Sequence, residues 1–390
     1  MNDLKTKQGF TKEEIERIYG CCFIGGNGVE LLWKGKETFQ RIFDSVKEAK
    51  ELICLEFYIF RNDETGMELS ELLIEKSRQG VGVYILYDHF GSFGTPLKFW
   101  RMLKSEGIKI MASRPFRWSM PLRYIHRDHK KLLIIDGHTA FTGGLNIANE
   151  YRGFHLRRAM PWRDTGIMIK GPAAWALLDA FRRMWNTMGG GTIKLKRQET
   201  GIVPGAKDAL PVMPIFAHSG KGRRRIRRLL YYSINHAKES ILLTTAYFTP
   251  SRRMIETLED ATRRGVRVRL LVPGESDVPA AWHAGRAFYT RLLKRGVEIY
   301  NYMGEVLHAK AYVFDCCWSI VGSANLDFQS LRWNDEGNVG ILDKGFGEEM
   351  TGVFNEDLKH SIGMDLKTWS ERPLCDKLKE HFFSLFRRRL

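Results

Sequence analysis

A histidine, a lysine two residues later and an aspartate five residues beyond it occur twice in this 390-residue chain. HKKLLIID carries His129, Lys131 and Asp136, and HAKAYVFD carries His308, Lys310 and Asp315. Average residue usage allows only about a few hundredths of such a match by chance at this length. Two matches mark a duplicated unit. It extends downstream, where Gly143-Gly144 precedes Asn146 in FTGGLNIAN and Gly322-Ser323 precedes Asn325 in IVGSANLD.

The copies also align upstream. SVKEAKELICL (45–55) answers SINHAKESILL (233–243), each a helix end running into an apolar strand, and SRQGVGVYILYD (77–88) answers TRRGVRVRLLVP (262–273). In the second pair a basic helix end, a glycine cap and a β-branched strand follow in one order. Helices alternating with strands at this spacing predict an α/β fold with two similar lobes. Each is expected to be a mixed, largely parallel β-sheet flanked by helices, the two related by a pseudo-two-fold axis. The chain is long enough to bury two cores. The expected lobes are 29–200 and 201–365, with a helical lead over 1–28 and an amphipathic tail over 366–390. Gly189-Gly190-Gly191, Pro204, Gly205, Pro211 and Pro214 mark the junction.

Side chains two apart on a strand share a face, so His129 points with Lys131 and His308 with Lys310, and each pair can address one phosphate. The small residues Gly144 and Ser323 and the amides Asn146 and Asn325 complete a candidate phosphate cradle, because the backbone there can approach an anion closely. Two imidazoles and two ammonium groups supply a nucleophile, a proton donor and charge neutralisation for phosphodiester chemistry, with no metal or other cofactor required. The net charge of +16 favours anionic partners, either nucleic acid or acidic lipid. No apolar run reaches about 18 residues, and the polar N-terminus MNDLKTKQGF does not read as a signal peptide. The six cysteines show no zinc spacing and read as reduced thiols.

The paired motifs resemble the phospholipase D superfamily, most nearly the bacterial cardiolipin synthases. The resemblance runs through LEFYIFRNDETG (55–66), YIHRDHKKLLIIDG (124–137), PWRDTGIMIKGPA (161–173) and GSANLDFQSLRWNDE (322–336). It is to the shorter branch, without the N-terminal membrane-spanning pair of many members. It implies two phospholipase D-like lobes and a phosphatidyltransferase working through a phosphohistidine. His129 is assigned as nucleophile and His308 as acid/base, with the reverse order open. It also implies carboxylates that orient the imidazoles: Glu336, eleven residues after Asn325, and Asp164 in WRDTG as its first-half counterpart. Implied partners are anionic phospholipids, phosphatidylglycerol and cardiolipin, met by peripheral contact on the cytoplasmic side of a bacterial cell membrane.

Other residues have two readings. Asp136 and Asp315 belong to the catalytic motif, yet Asp136-Gly137 is also a common hairpin turn. Glu56 and Tyr58 form an active-site wall or a buried core pair. KGRRRIRR (221–228) binds head groups or is a solvated helix face. RPFRWSMPLRY (114–124) suits a loop dipping among lipids or ordinary packing under the first histidine motif, and LKEHFFSLFRRRL reads as an interfacial helix or one docked on the second lobe. A hydrolase would use the same residues. A nuclease would also explain the charge, but it has no need of the aromatic loop or apolar tail, and nucleic acid is not expected as a partner.

Overall fold

The structure is a computed structural model that describes residues 9–115, 126–153, 162–195 and 209–387. The first half contributes β1 (Ile24–Leu32), β2 (Leu52–Phe57), β3 (Gly82–Asp88), β4 (Lys109–Ser113), β5 (Lys131–Ile135), β6 (Thr139–Gly143) and β7 (Gly166–Lys170). The second contributes β8 (Leu210–Ala217), β9 (Ser240–Thr245), β10 (Arg267–Pro273), β11 (Glu298–Tyr302), β12 (Lys310–Phe314), β13 (Trp318–Gly322), β14 (Glu336–Leu342) and β15 (Ser361–Gly363). All join in one sheet, in the order β4-β3-β2-β5-β6-β7-β1-β8-β14-β13-β12-β9-β10-β11-β15. Apart from β15, the order reads the same from either end when each strand is replaced by its repeat partner. The pseudo-two-fold axis therefore passes between β1 and β8.

The α/β class and the mixed sheet match the expectation, but the parallel share is smaller. Among the described residues, parallel pairing is confined to β2-β3-β4 and β9-β10-β11, where helices provide the crossovers. From β5 and β12 onward the chain turns back through tight hairpins. Asp136 and Gly137 have φ of 51° and 66°, and Asp315 and Cys316 have 49° and 54°. Paired left-handed residues are what two-residue hairpin turns require, and such turns give antiparallel neighbours.

β5 and β12 are buried along their whole lengths because both sheet faces are covered. Ile53 and Leu55 enter the core of the first half, while Ile241 and Leu243 enter that of the second. Their neighbours Cys54 and Leu242 point to the other face, into a third core shared by both halves. β1 begins at Ile24, inside the stretch read as a helical lead. Ahead of it the helix Lys12–Tyr19 packs Ile15 and Tyr19 into the second half's core.

Candidate active site

The two motif histidines precede β5 and β12, and each is held by a strand fragment from the other half. The His129 N–H donates to the Asp335 carbonyl at 2.9 Å, and the His308 N–H donates to the Arg163 carbonyl at 2.8 Å. The residue after each of these partners is a carboxylate, and extended geometry aims it at the imidazole. His129 Nδ1 lies 3.1 Å from Glu336 Oε2, and His308 Nδ1 lies 2.7 Å from Asp164 Oδ2. Both imidazoles line one cavity of ≈ 320 Å³, together with Tyr58, Asn146, Tyr247 and Asn325.

Burial dominates the electrostatics. Burial and the adjacent Lys131 hold His129 below the usual imidazole range, and burial with Lys310 holds His308 well below it. Lys131 is pulled well down by burial and by Lys310, and burial brings Lys310 to about 8. Asp164 is pushed up to about 6 by burial. Burial also acts on Glu336, but His129, Lys131 and the Ser323 hydroxyl outweigh it and keep that carboxyl below its usual range. A carboxylate on each Nδ1 fixes that nitrogen as the one bearing hydrogen in the neutral ring, so Nε2 is the nitrogen with a lone pair to offer. Lys310 Nζ sits 2.9 and 3.0 Å from the two ring nitrogens of His308, and Lys131 Nζ is 2.7 Å from the His129 carbonyl and 5.2 Å from the Tyr58 ring centre. Among the described residues no cluster of three or more His, Cys, Asp or Glu is placed to hold a metal.

This arrangement can be set beside known proteins. Residues 42–185 and 230–358 match the family described as cardiolipin synthase, PLD-like domain. The chain belongs to the cardiolipin synthase family. Among its relatives, the major cardiolipin synthase ClsA of Bacillus subtilis is 32% identical over 398 residues, covering 97% of this chain and 81% of that one. The cardiolipin synthase of Halalkalibacterium halodurans is 34% identical over 334 residues, covering 85% and 66%. The crystal structure of phosphatidylserine synthase from Haemophilus influenzae shares the fold with a TM-score of 0.76 at 14% identity, covering 97% of this chain and 100% of that one.

Within this cardiolipin synthase family member the predicted site residues separate into groups. His129, His308, Asn146, Asn325 and Tyr58 line the cavity. Asn146 Oδ1 accepts the Ile59 N–H at 3.1 Å and Asn325 Oδ1 accepts the Tyr247 N–H at 3.3 Å, so each amide also ties down the chain leaving β2 or β9. Ser323 and Gly144, expected in the phosphate cradle, are turned instead to the orienting carboxylates. The Ser323 hydroxyl donates to Glu336, and a Cβ built on Gly144 would overlap the Asp164 carboxylate.

Asp136 and Asp315, grouped with the catalytic residues, lie at the far ends of β5 and β12, about 16 Å of strand from the lysines. Asp136 accepts the N–H groups of Lys50, Glu51 and Leu52 at 2.7–2.8 Å, and Asp315 accepts those of Lys238, Glu239 and Ser240 at 2.8–3.1 Å. They fasten the turn into β2 or β9 and contact no part of the cavity. Glu56 is not a cavity wall either: it is fully buried and pairs with Lys130 at 2.8 Å. Lys130 also pairs with Asp128, and close by Asp335 is held by Arg114 and by Arg223 at 3.2 Å. This buried ionic junction joins the halves behind His129. It also absorbs one arginine of the 221–228 run, while Arg227 reaches the Leu331 carbonyl. Of the aromatic loop, 116–124 lies outside the described residues.

Tyr151, Trp162, Asp277 and Asn334 also line the cavity and were not picked out in the sequence. Trp162 could have been found from its position two residues before Asp164, which matches that of Asn334 before Glu336. Asp277 carries no local signal.

Proposed function

We propose that this chain makes cardiolipin by moving a phosphatidyl group from one phospholipid to the glycerol hydroxyl of phosphatidylglycerol, releasing a small alcohol such as glycerol. One observation carries the reading: two imidazoles, each with a carboxylate on Nδ1, share a single cavity with two buried lysines behind them. The cardiolipin synthase names of its relatives supply the substrate class.

His129 Nε2 attacks phosphorus, a P–N bond forms, and the bond to the leaving alcohol breaks as His308 protonates its oxygen. The acceptor hydroxyl then gives its proton to His308 while its oxygen replaces His129 on phosphorus. Glu336, held ionised, stabilises the positive charge that develops on His129. The arriving phosphodiester adds an anionic partner for Lys131, Lys310 and His308, opposing the burial that favours their neutral forms.

Membrane contact belongs to the same reading. The helix Leu374–Leu385 is anchored by Glu380, which pairs with Arg286 at 3.0 Å and Arg372 at 2.6 Å, and it turns Leu374, Leu378, Phe382 and Leu385 outward. It packs on the helix Pro279–Arg286, whose Ala281 lines the cavity. On the first half Phe90, Phe93 and Leu97 are exposed. Among the described residues no helix is long and apolar enough to cross a membrane. The apolar groups on both halves suit insertion at a lipid surface, with the basic chain facing acidic head groups.

Mass spectrometry of lipids after incubation with phosphatidylglycerol vesicles tests the proposal. Cardiolipin from the wild type that is lost in His129→Ala and His308→Ala supports it. Phosphatidic acid as sole product makes the chain a hydrolase, and phosphoenzyme trapped by a detergent quench at neutral to alkaline pH, retained in His308→Ala but not His129→Ala, identifies the nucleophile.

A further inference from the structure

Charge of both signs lines the cavity, where Glu150 is paired with Arg61 at 3.0 Å and Asp327 accepts the Ser330 N–H at 2.6 Å. Near His129 its lining includes Arg127, whose guanidinium lies 4.3 Å from the centre of the Phe90 ring. Near His308 it includes a carboxylate, Asp277, in the segment joining β10 to the helix Pro279–Arg286. The Tyr247 hydroxyl lies 3.0 and 2.8 Å from the two Asp277 oxygens, and the Tyr247 ring stands edge-on to His308 with centres 6.2 Å apart. The charge of Asp277 bears on His308, Lys310 and Tyr151.

This carboxylate breaks the repeat. The Ile59 N–H meets Asn146 as the Tyr247 N–H meets Asn325, so the first half has an isoleucine where the second has Tyr247. In the first half the nearest acid is Asp88, the last residue of β3, and it is turned back onto the N–H groups of Phe90 and Gly91, each at 3.0 Å. A site built only to hold phosphate gains nothing from an added anion. Coulomb repulsion between two unit charges at short range costs about a kcal/mol or more even in high dielectric. A carboxylate is, however, the strongest side-chain acceptor for an alcohol O–H.

We propose that Asp277, held in place by Tyr247, selects the acceptor by taking a hydrogen bond from a second hydroxyl of a polyol head group while the first hydroxyl faces His308. The proposal rests on the transferase reading above. A glycerol head group has one hydroxyl to react and a neighbour to bind. Ethanol and water have no second hydroxyl, so neither can use the contact. During transfer the reacting hydroxyl gives its proton to His308 and its oxygen bonds to phosphorus as the P–N bond breaks. Asp277 keeps its hydrogen bond to the other hydroxyl throughout.

The test uses the full chain on phosphatidylglycerol vesicles with labelled glycerol and ethanol in competition. Two ratios are measured: cardiolipin to phosphatidic acid, and incorporated glycerol to phosphatidylethanol. In Asp277→Ala both ratios fall about tenfold, the loss expected for one hydrogen bond to a charged acceptor. Asp277→Asn, which keeps an acceptor oxygen, lies between wild type and Asp277→Ala, and Tyr247→Phe lowers both ratios less than Asp277→Ala does. A wild type that makes cardiolipin, with both ratios unchanged in Asp277→Ala, overturns this proposal alone. So does a parallel fall of all products, which is what a merely structural role gives. A wild type that makes neither cardiolipin nor phosphatidic acid overturns the transferase reading and this proposal together.

Discussion

The surroundings of the two histidines differ although their motifs match. Behind His129 stands a glutamate, held by the Ser323 hydroxyl and kept ionised. Behind His308 stands the shorter Asp164, which closes against Gly144 and has its carboxyl pushed up to about 6 by burial. Gly144 and Ser323 are repeat partners, so one exchange of a small residue accompanies one exchange of carboxylate length. On the sheet side, His129 backs onto the ionic junction of Lys130, Glu56 and Asp128, whereas the residue matching Lys130 is Ala309. Trp162 and Tyr151 pack against His308 with ring centres 5.8 and 5.4 Å away. Duplication supplied the paired histidines and lysines, and the flanking residues made their environments unequal. Two roles need that inequality, because attack and proton donation require opposite protonation states.

Removing either orienting carboxylate should have the largest effect. Glu336→Gln and Asp164→Asn are expected to lower kcat by roughly 10³- to 10⁴-fold, as loss of an imidazole's carboxylate does elsewhere. Single-turnover assays on lipid vesicles measure this. Equal losses would mean that the two carboxylates carry equal weight. Next comes Gly144→Ser, which forces a side chain into the Asp164 carboxylate and should cost roughly 10²-fold, since misplacement of about 1 Å has that effect. The double variant Gly144→Ser with Asp164→Glu copies the His129 arrangement and should recover part of that loss. No recovery would show that the two settings are not interchangeable. Ser323→Ala removes one donor from Glu336 and should cost about tenfold.

The pH profile should expose the same asymmetry. As pH falls through about 6, Asp164 takes up a proton and His308 loses its anionic partner; as pH rises through about 8, Lys310 loses its charge. The rate should therefore peak between these values and fall about tenfold per unit beyond them. An acid limb that persists unchanged in Asp164→Asn would place its origin elsewhere. Smallest in turnover should be Asp136→Ala and Asp315→Ala. These lose a backbone clamp and a residue that tolerates positive φ, costing about 1–2 kcal/mol of stability with little change in kcat per folded molecule. Thermal unfolding alongside active-site titration separates the two effects.

Much of this was legible in the chain itself. The repeat announced the lobes because helix ends and strands recur in order, and period-two alternation placed each lysine beside its histidine. What could not be read was which carboxylate serves which imidazole. His129 and Glu336 are 207 residues apart, and only the assembled sheet brings them together. The aspartates of the motif misled for a related reason. A spacing shows that residues belong together without showing which end of a strand they serve, and five residues of extended chain separate Asp136 from the chemistry. Asp277 lies in an irregular segment with no periodicity, so only its position in the fold gives it meaning.

The exchange of carboxylates between halves also bears on synthesis. At roughly 5–20 residues per second, the interval between translation of His129 and of Glu336 is about 10–40 s. For most of that interval, until His308 is made, the emerging first half holds one imidazole with no carboxylate behind it and no second imidazole to protonate a leaving group. The carboxylate behind His129 is in place only once β14, which begins at Glu336, has joined β8 in the sheet.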